Sequence, residues 1–331
     1  AINSKIDIYI ADPMTPATNL LNELAERQVE GGYVVYQPEG EIAAINMALG
    51  ASFAGAKAIV GTSGGGFDLM GEGLSMQGAS QLPLVVYLAS RVGPGTGIPT
   101  YTMQCDMNIA LKSGHGEFPR IVIAPGDPVE SIEKVNEAFY LANKFNSLAI
   151  ILTDKHIAES EFSSLEKPKK PLDVKVKRKI PGEMNVKASS YEHDLNGLTT
   201  ESASFAIKNA EERLWRYEEI KKECKRFEMV KTYGRKKSRN LIISWGSPTN
   251  AIIDAIEGLD YKLLQVIYIK PLSDKVKEEI LKAKNVTLIE NNLTGQLGRL
   301  IREKTGIKIK KRILKYDGRP FTSDELREML R

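Results

Sequence analysis

Residues Tyr33-Val34-Val35-Tyr36-Gln37-Pro38-Glu39-Gly40-Glu41-Ile42-Ala43-Ala44-Ile45-Asn46-Met47-Ala48-Leu49-Gly50 decide the fold. The first five are compact and rich in Val and Tyr, the signature of a buried strand bounded by turn residues. Pro38 and Gly40 punctuate the chain, and a helix pattern opens at Glu41. Small residues at Ala44, Ala48 and Ala51 allow that helix to pack closely, which places Glu41 near a tight interface. A carboxylate there is costly unless a partner uses it, and a raised pKa is what a proton donor at neutral pH needs. Glu39 and Glu41 compete for that role, against the plainer reading of a first-turn acid favoured by the helix dipole.

The same strand–helix unit recurs on both sides. Strands are expected at 5–10, 33–37, 57–62, 84–88, 120–123 and 148–152, with helices at 18–30, 41–55, 68–80, 104–112 and 128–144. Such alternation predicts a parallel sheet covered on both faces, with ligands at the strand C-termini. Residues 160–197, rich in Pro and Lys, break the rhythm as an exposed connector, and a charged helix is expected over 202–230. From 240 the rhythm resumes, with strands at 240–244, 262–268, 285–290 and 310–314 and helices at 248–257, 273–284, 294–305 and 323–331. The expected organisation is α/β throughout: a first domain at 1–159, connector and charged helix at 160–239, and a smaller α/β domain at 240–331.

With 331 residues, 42% apolar and 27% charged, the chain suits two soluble domains and a connector. A net charge of +4, with the basic residues mostly interleaved among acids, argues against a nucleic-acid face. Cys105 and Cys224 alone cannot build a disulfide framework or ligate an iron–sulfur cluster, and the three histidines share no metal-like spacing. With no signal-like N-terminus and no apolar run of about 18 residues, a cytoplasmic protein without a membrane anchor is expected.

Three further turns carry chemistry. In Asp12-Pro13-Met14-Thr15-Pro16-Ala17-Thr18, two prolines fix the backbone so that Thr15 or Thr18 presents a hydroxyl or caps a helix. Gly61-Thr62-Ser63-Gly64-Gly65-Gly66-Phe67 lacks the phosphate-loop pattern and reads as a loop that lets another group approach closely. In Ser90-Arg91-Val92-Gly93-Pro94-Gly95-Thr96-Gly97-Ile98-Pro99-Thr100, an arginine at a strand end is a bidentate carboxylate receptor, or else a solvated lid residue. His115, between glycines, is more simply structural than catalytic.

Together with the runs 114–127, 191–194, 290–297 and 316–321, these segments resemble the α subunits of 2-oxoacid:ferredoxin oxidoreductases, above all the 2-oxoglutarate or broad-specificity branch. The resemblance implies a pyrimidine-binding-type domain of the thiamine diphosphate superfamily, followed by a transketolase C-terminal-like domain. It implies CoA-dependent oxidative decarboxylation of a 2-oxoacid to acyl-CoA and CO2, with reduction of ferredoxin. Glu41 matches the glutamate that bonds the cofactor's aminopyrimidine N1′, and Ser63, Gly64, Gly65 and Phe67 fall in its cofactor-contacting turn. Arg91 matches the arginine for the substrate carboxylate, with Thr96 on the same loop, and Thr15 matches the threonine of the family's Tyr-Pro-Ile-Thr-Pro loop. Here that loop reads Ala11-Asp12-Pro13-Met14-Thr15-Pro16, placing an extra acid near an anionic substrate. A β subunit is expected to bring the Mg2+ site for the diphosphate and the [4Fe–4S] cluster. Some relatives fuse a γ domain upstream, which would explain the start at Ala1. Two alternatives stay open: a subunit of an NAD-linked oxoacid dehydrogenase, and a non-catalytic scaffold. The 90–100 loop and the 191–194 run argue against the first, and retention of Glu41, Arg91 and Thr15 against the second.

Overall fold

A computed structural model describes residues 1–165, 169–172, 174, 187 and 189–331, so the expected connector lies partly outside the described residues. After a 3-10 turn at Ile2–Ser4 come β1 (Ile8–Ile10), α1 (Thr18–Gly31), β2 (Val34–Tyr36), α2 (Glu41–Phe53) and β3 (Ala58–Thr62). Next are α3 (Gly64–Leu69), α4 (Gly71–Ser80), β4 (Leu84–Ser90), α5 (Met107–Lys112) and β5 (Arg120–Ile123). Then follow α6 (Pro128–Phe145), β6 (Leu148–Asp154), α7 (Lys155–Glu159) and α8 (Ala203–Cys224). The remainder is β7 (Val230–Gly234), β8 (Asn240–Ser244), α9 (Pro248–Ala255), β9 (Lys262–Val266), β10 (Tyr268–Lys270) and α10 (Asp274–Lys282). It closes with β11 (Asn285–Glu290), α11 (Gln296–Thr305), β12 (Lys311–Leu314) and α12 (Ser323–Leu330).

The strands form two sheets, ordered β10-β5-β6-β4-β3-β1-β2 and β12-β11-β8-β9-β7. In the large sheet β5, β6, β4, β3, β1 and β2 run parallel to one another, as expected for βα units. Ala44 and Ala48 are fully buried, and their lack of bulk lets α2 lie close against β1 and β3.

Two departures from the sequence expectation have one cause, an edge seeking partners. The expected single strand 262–268 divides: β9 stays in the small sheet, while β10 crosses over and pairs antiparallel with β5. Tyr268 anchors the crossing, its ring stacked on Phe227 at 6.5 Å and its hydroxyl donating to Glu137 Oε2 at 2.6 Å. The expected helix 202–230 ends at Cys224, and β7 instead pairs antiparallel with β9.

The two sheets share a core, in which Val86 and Leu88 belong with Leu241, Ile243, Trp245 and Leu288. Buried polar bonds stitch across it. Ser247 Oγ donates to Asp154 Oδ2, and Gln265 Nε2 donates to Glu130 Oε2 at 2.7 Å. Each satisfies a carboxylate that would otherwise be buried at a loss.

Candidate functional site

The expected residues lie beyond the C-terminal ends of adjacent strands: Thr15 after β1, Glu41 after β2, Ser63–Gly65 after β3 and Arg91 after β4. Glu41 is the first residue of α2 and is 5% exposed, whereas Glu39 is exposed. Its Oε1 is buried with no hydrogen-bond partner among the described residues. Folding leaves few buried polar atoms unpaired, so an orphaned carboxylate oxygen marks a place where something else is meant to bind.

Gly66 explains why this carboxylate can sit where it does. A Cβ on Gly66 would meet Glu41 Cγ at 2.6 Å and would overlap Thr62 Oγ1 and Glu41 Oε1. The three glycines do not form the expected loop; they are the first turn of α3, and the helix expected from 68 begins four residues earlier and steps at Met70. Bare Cα atoms in that turn give the approach that the sequence pattern predicted, but through a helix. Ser63 precedes it, its Oγ buried and unpartnered among the described residues. Phe67 is 0% exposed and lies in the shared core, a floor beneath the turn.

Arg91 and Thr15 meet. Arg91 Nη1 donates to the Thr15 carbonyl at 2.9 Å, so it is the backbone of Thr15 that orients the guanidinium. Neither Thr15 nor Thr18 caps α1, whose N-cap is Ala17 with no side-chain bond. Thr96 lies apart at the exposed tip of the 90–100 loop, between Gly95 and Gly97, both at positive φ. That loop is closed by Ile98 N donating to Val92 O at 3.3 Å.

Sequence reasoning missed Asp106, which it placed inside a helix at 104–112; the helix starts at Met107 and Asp106 lies in the turn before it. A Cβ on Gly64 would come within 2.7 Å of both Asp106 oxygens. Burial pushes the Asp106 carboxyl up to about 6, Ser90 and Arg91 draw it down, and the charge of Asp68 adds to the rise. An acidic residue just ahead of a helix, following Gln104 and Cys105, was the available signal.

His115 is exposed, and its peptide exchanges bonds with Ser75: His115 N donates to Ser75 Oγ at 2.8 Å. Among the described residues no group of three or more His, Cys, Asp or Glu side chains is placed to hold a metal. No helix among them is long and apolar enough to cross a membrane.

Residues 1–232 match the family model described as pyruvate flavodoxin/ferredoxin oxidoreductase, thiamine diphosphate-binding. The chain is 35% identical to 2-oxoacid:ferredoxin oxidoreductase 1, subunit alpha, of Sulfurisphaera tokodaii, over 99% of this chain and 55% of that protein. It is 30% identical to the 2-oxoglutarate synthase subunit KorA of Methanocaldococcus jannaschii, over 90% of this chain and 86% of that one. Among solved structures it is similar to the 2-oxoglutarate:ferredoxin oxidoreductase of Magnetococcus marinus with 2-oxoglutarate, coenzyme A and succinyl-CoA bound. That likeness has a TM-score of 0.87 at 28% identity, covering 99% of this chain and 62% of the other. The chain spans about half the length of the Sulfurisphaera protein and of its Sulfolobus and Saccharolobus counterparts.

Proposed function

Because the chain belongs to the pyruvate flavodoxin/ferredoxin oxidoreductase family, in its thiamine diphosphate-binding part, we propose that it is the α-type subunit of a 2-oxoacid:ferredoxin oxidoreductase. In this reading residues 1–159 form a pyrimidine-binding-type domain and 240–331 a transketolase C-terminal-like domain. The observation that carries the proposal is the orphaned, buried Glu41 Oε1 facing the glycine turn of α3.

That oxygen fits an aminopyrimidine ring. It can accept a bond from a ring N–H, or give a proton to a ring nitrogen, without first surrendering an internal partner. Bound thiamine diphosphate supplies an electron sink for the pair left behind when CO2 departs. Glu41 holds and moves the proton at its Oε1, and its burial keeps water from competing for that exchange. Ser63, Gly64 and Gly65 give the cofactor a close approach, with Phe67 supporting them from below.

Arg91 receives the oxoacid carboxylate. Its Nη1 bond to Thr15 O fixes the plane of the guanidinium and leaves other N–H donors for a forked contact. Thr15 therefore acts by orienting Arg91, and Thr96 meets the substrate only when the 90–100 loop folds over it. A β subunit brings Mg2+ for the diphosphate and the [4Fe–4S] cluster, CoA accepts the acyl group, ferredoxin takes the electrons, and the complex works in the cytoplasm.

The test is reconstitution. Co-expressed with its β subunit, the chain should reduce viologen when given an oxoacid and CoA, with no lipoamide present. The chain alone should not. A complex that needed lipoamide and NAD would support the dehydrogenase alternative instead.

A further inference from the structure

The turn between β12 and α12, residues 315–320, comes from the small sheet but rests on the loop that Arg91 opens. Its seat is Gly318, buried and at φ +81°. A Cβ there would lie 3.2 Å from Val92 Cγ2 and 3.2 Å from Tyr101 Cβ. Val92 follows Arg91 at the entry of the loop, and Tyr101 stands at its exit, so one bare Cα accommodates both ends. Thr102 N then donates to Gly318 O at 3.1 Å, while Thr102 Oγ1 accepts from His156 N at 3.2 Å. Beside this seat the Arg319 guanidinium lies over the Tyr101 ring, 3.7 Å from its centroid, well inside cation–π range.

The turn is itself firmly built. Asn291, 1% exposed and just past β11, donates through Nδ2 to the carbonyls of Lys315 and Arg319, both at 3.1 Å. Lys315 N donates to Glu290 O at 3.1 Å, and Arg319 N to Asp317 Oδ1 at 2.9 Å. Lys315 Nζ pairs with Glu325 Oε2 at 2.6 Å and ties the turn to α12. The loop above it is built differently: residues 94–98 are exposed, and it is closed by Ile98 N donating to Val92 O at 3.3 Å and Tyr101 N to Ile98 O at 3.1 Å. A loop with an exposed tip takes its position from its roots.

We propose that Gly318 and Arg319 are positioning residues for substrate binding: their turn seats both roots of the 90–100 loop and thereby fixes where Arg91 presents its guanidinium. This rests on Arg91 being the carboxylate receptor. Thr15 O holds the guanidinium from the large-sheet side, at 2.9 Å. Val92 packed on Gly318 holds the backbone next to Arg91 from the small-sheet side. A forked carboxylate contact tolerates little misplacement, so a loosened root weakens substrate binding. The small sheet thus contributes to the oxoacid pocket through the loop it supports.

The test uses the complex with its partner subunit and reads three quantities. They are KM and kcat for pyruvate and 2-oxoglutarate, hydrogen exchange at cofactor C2 before oxoacid is added, and amide hydrogen exchange of residues 92–102 by mass spectrometry. Gly318→Ala should raise KM about tenfold for both oxoacids. Gly306→Ala imposes a similar backbone strain, at φ +77° with nothing within 4 Å of its would-be Cβ, and should keep the wild-type KM. Arg319→Ala should raise KM about two- to fivefold, the worth of one exposed cation–π contact, and Arg319→Lys should recover part of it. In Gly318→Ala and Arg319→Ala the 92–102 amides should exchange faster, kcat should fall by less than KM rises, and C2 exchange should keep the wild-type rate. Should Gly318→Ala not fold, the exposed Arg319 variants decide. Wild-type KM in these variants beside a raised KM in Arg91→Lys overturns the positioning role alone. A raised KM with unchanged 92–102 exchange, or with C2 exchange slowed in step, overturns it too. Wild-type KM in Arg91→Lys removes the receptor reading and the proposal with it.

Discussion

Replacing Gly66 with alanine perturbs the site through a single methyl group. The new Cβ would lie 2.6 Å from Glu41 Cγ, where carbon atoms rest at about 3.5–4.0 Å, so something must move by about 1 Å. Overpacking of this kind costs about 1–3 kcal/mol, while alanine in place of glycine in a helix returns about 1 kcal/mol. The net loss of stability is therefore at most about 2 kcal/mol, small enough for a folded variant. Activity should suffer more, because a displacement of about 1 Å in a reacting group can lower the rate about 10²-fold. Gly65→Ala is the matched control for stability alone: nothing in the chain lies within 4 Å of its would-be Cβ, in the same helical turn, although that turn also faces the proposed cofactor. It should gain about 0.5–1 kcal/mol in stability. Chemical denaturation of the chain and viologen reduction by the reconstituted complex read the two effects. Equal stability for the two variants, or a Gly66→Ala complex as active as wild type, would refute the claim that Gly66 exists to admit Glu41.

Arg91→Ala should lower kcat/KM for pyruvate and 2-oxoglutarate alike by about 2–5 kcal/mol, since both carry the same carboxylate next to the ketone. Steady-state kinetics with both substrates checks it; pyruvate turnover surviving while 2-oxoglutarate turnover collapsed would reassign Arg91 to the distal carboxylate. Gln104→Ala strips partners from the buried Trp245 carbonyl and Asn291 amide, at about 1–3 kcal/mol for each group. Urea denaturation should show that loss, and an unchanged midpoint would mean that water replaces the glutamine.

The strand–helix rhythm was legible because parallel strands are short, apolar and bounded by turn residues, but the strand expected to be buried at 33–37 is the edge strand β2, with Val34 and Tyr36 exposed. The two antiparallel edges were not legible. Residues 230–234 continue a charged, weakly periodic stretch, and Tyr268–Lys270 follows β9 with nothing to mark a change of sheet. Only the tertiary need to pair β5 and β9 separates them. The residues alone left Glu39 and Glu41 in competition, and the family resemblance picked Glu41; the structure buries Glu41 at the start of α2 and leaves Glu39 exposed. Asp106 could not be found from the residues alone, because its setting comes from Gln104, Gln296 and Gly64, residues far apart in sequence. The pairing of Arg91 with Thr15 runs through a backbone carbonyl, which no side-chain pattern records.

The central claim is that Glu41 of this chain moves the proton that readies the cofactor. Hydrogen–deuterium exchange at C2 of thiamine diphosphate in the reconstituted complex, before any oxoacid is added, reads that step alone. Glu41→Gln keeps the shape and removes the acid, so exchange should slow by about 10²–10⁴-fold while Glu39→Gln exchanges at the wild-type rate. Unchanged exchange in Glu41→Gln, or a comparable loss in Glu39→Gln, would contradict the account.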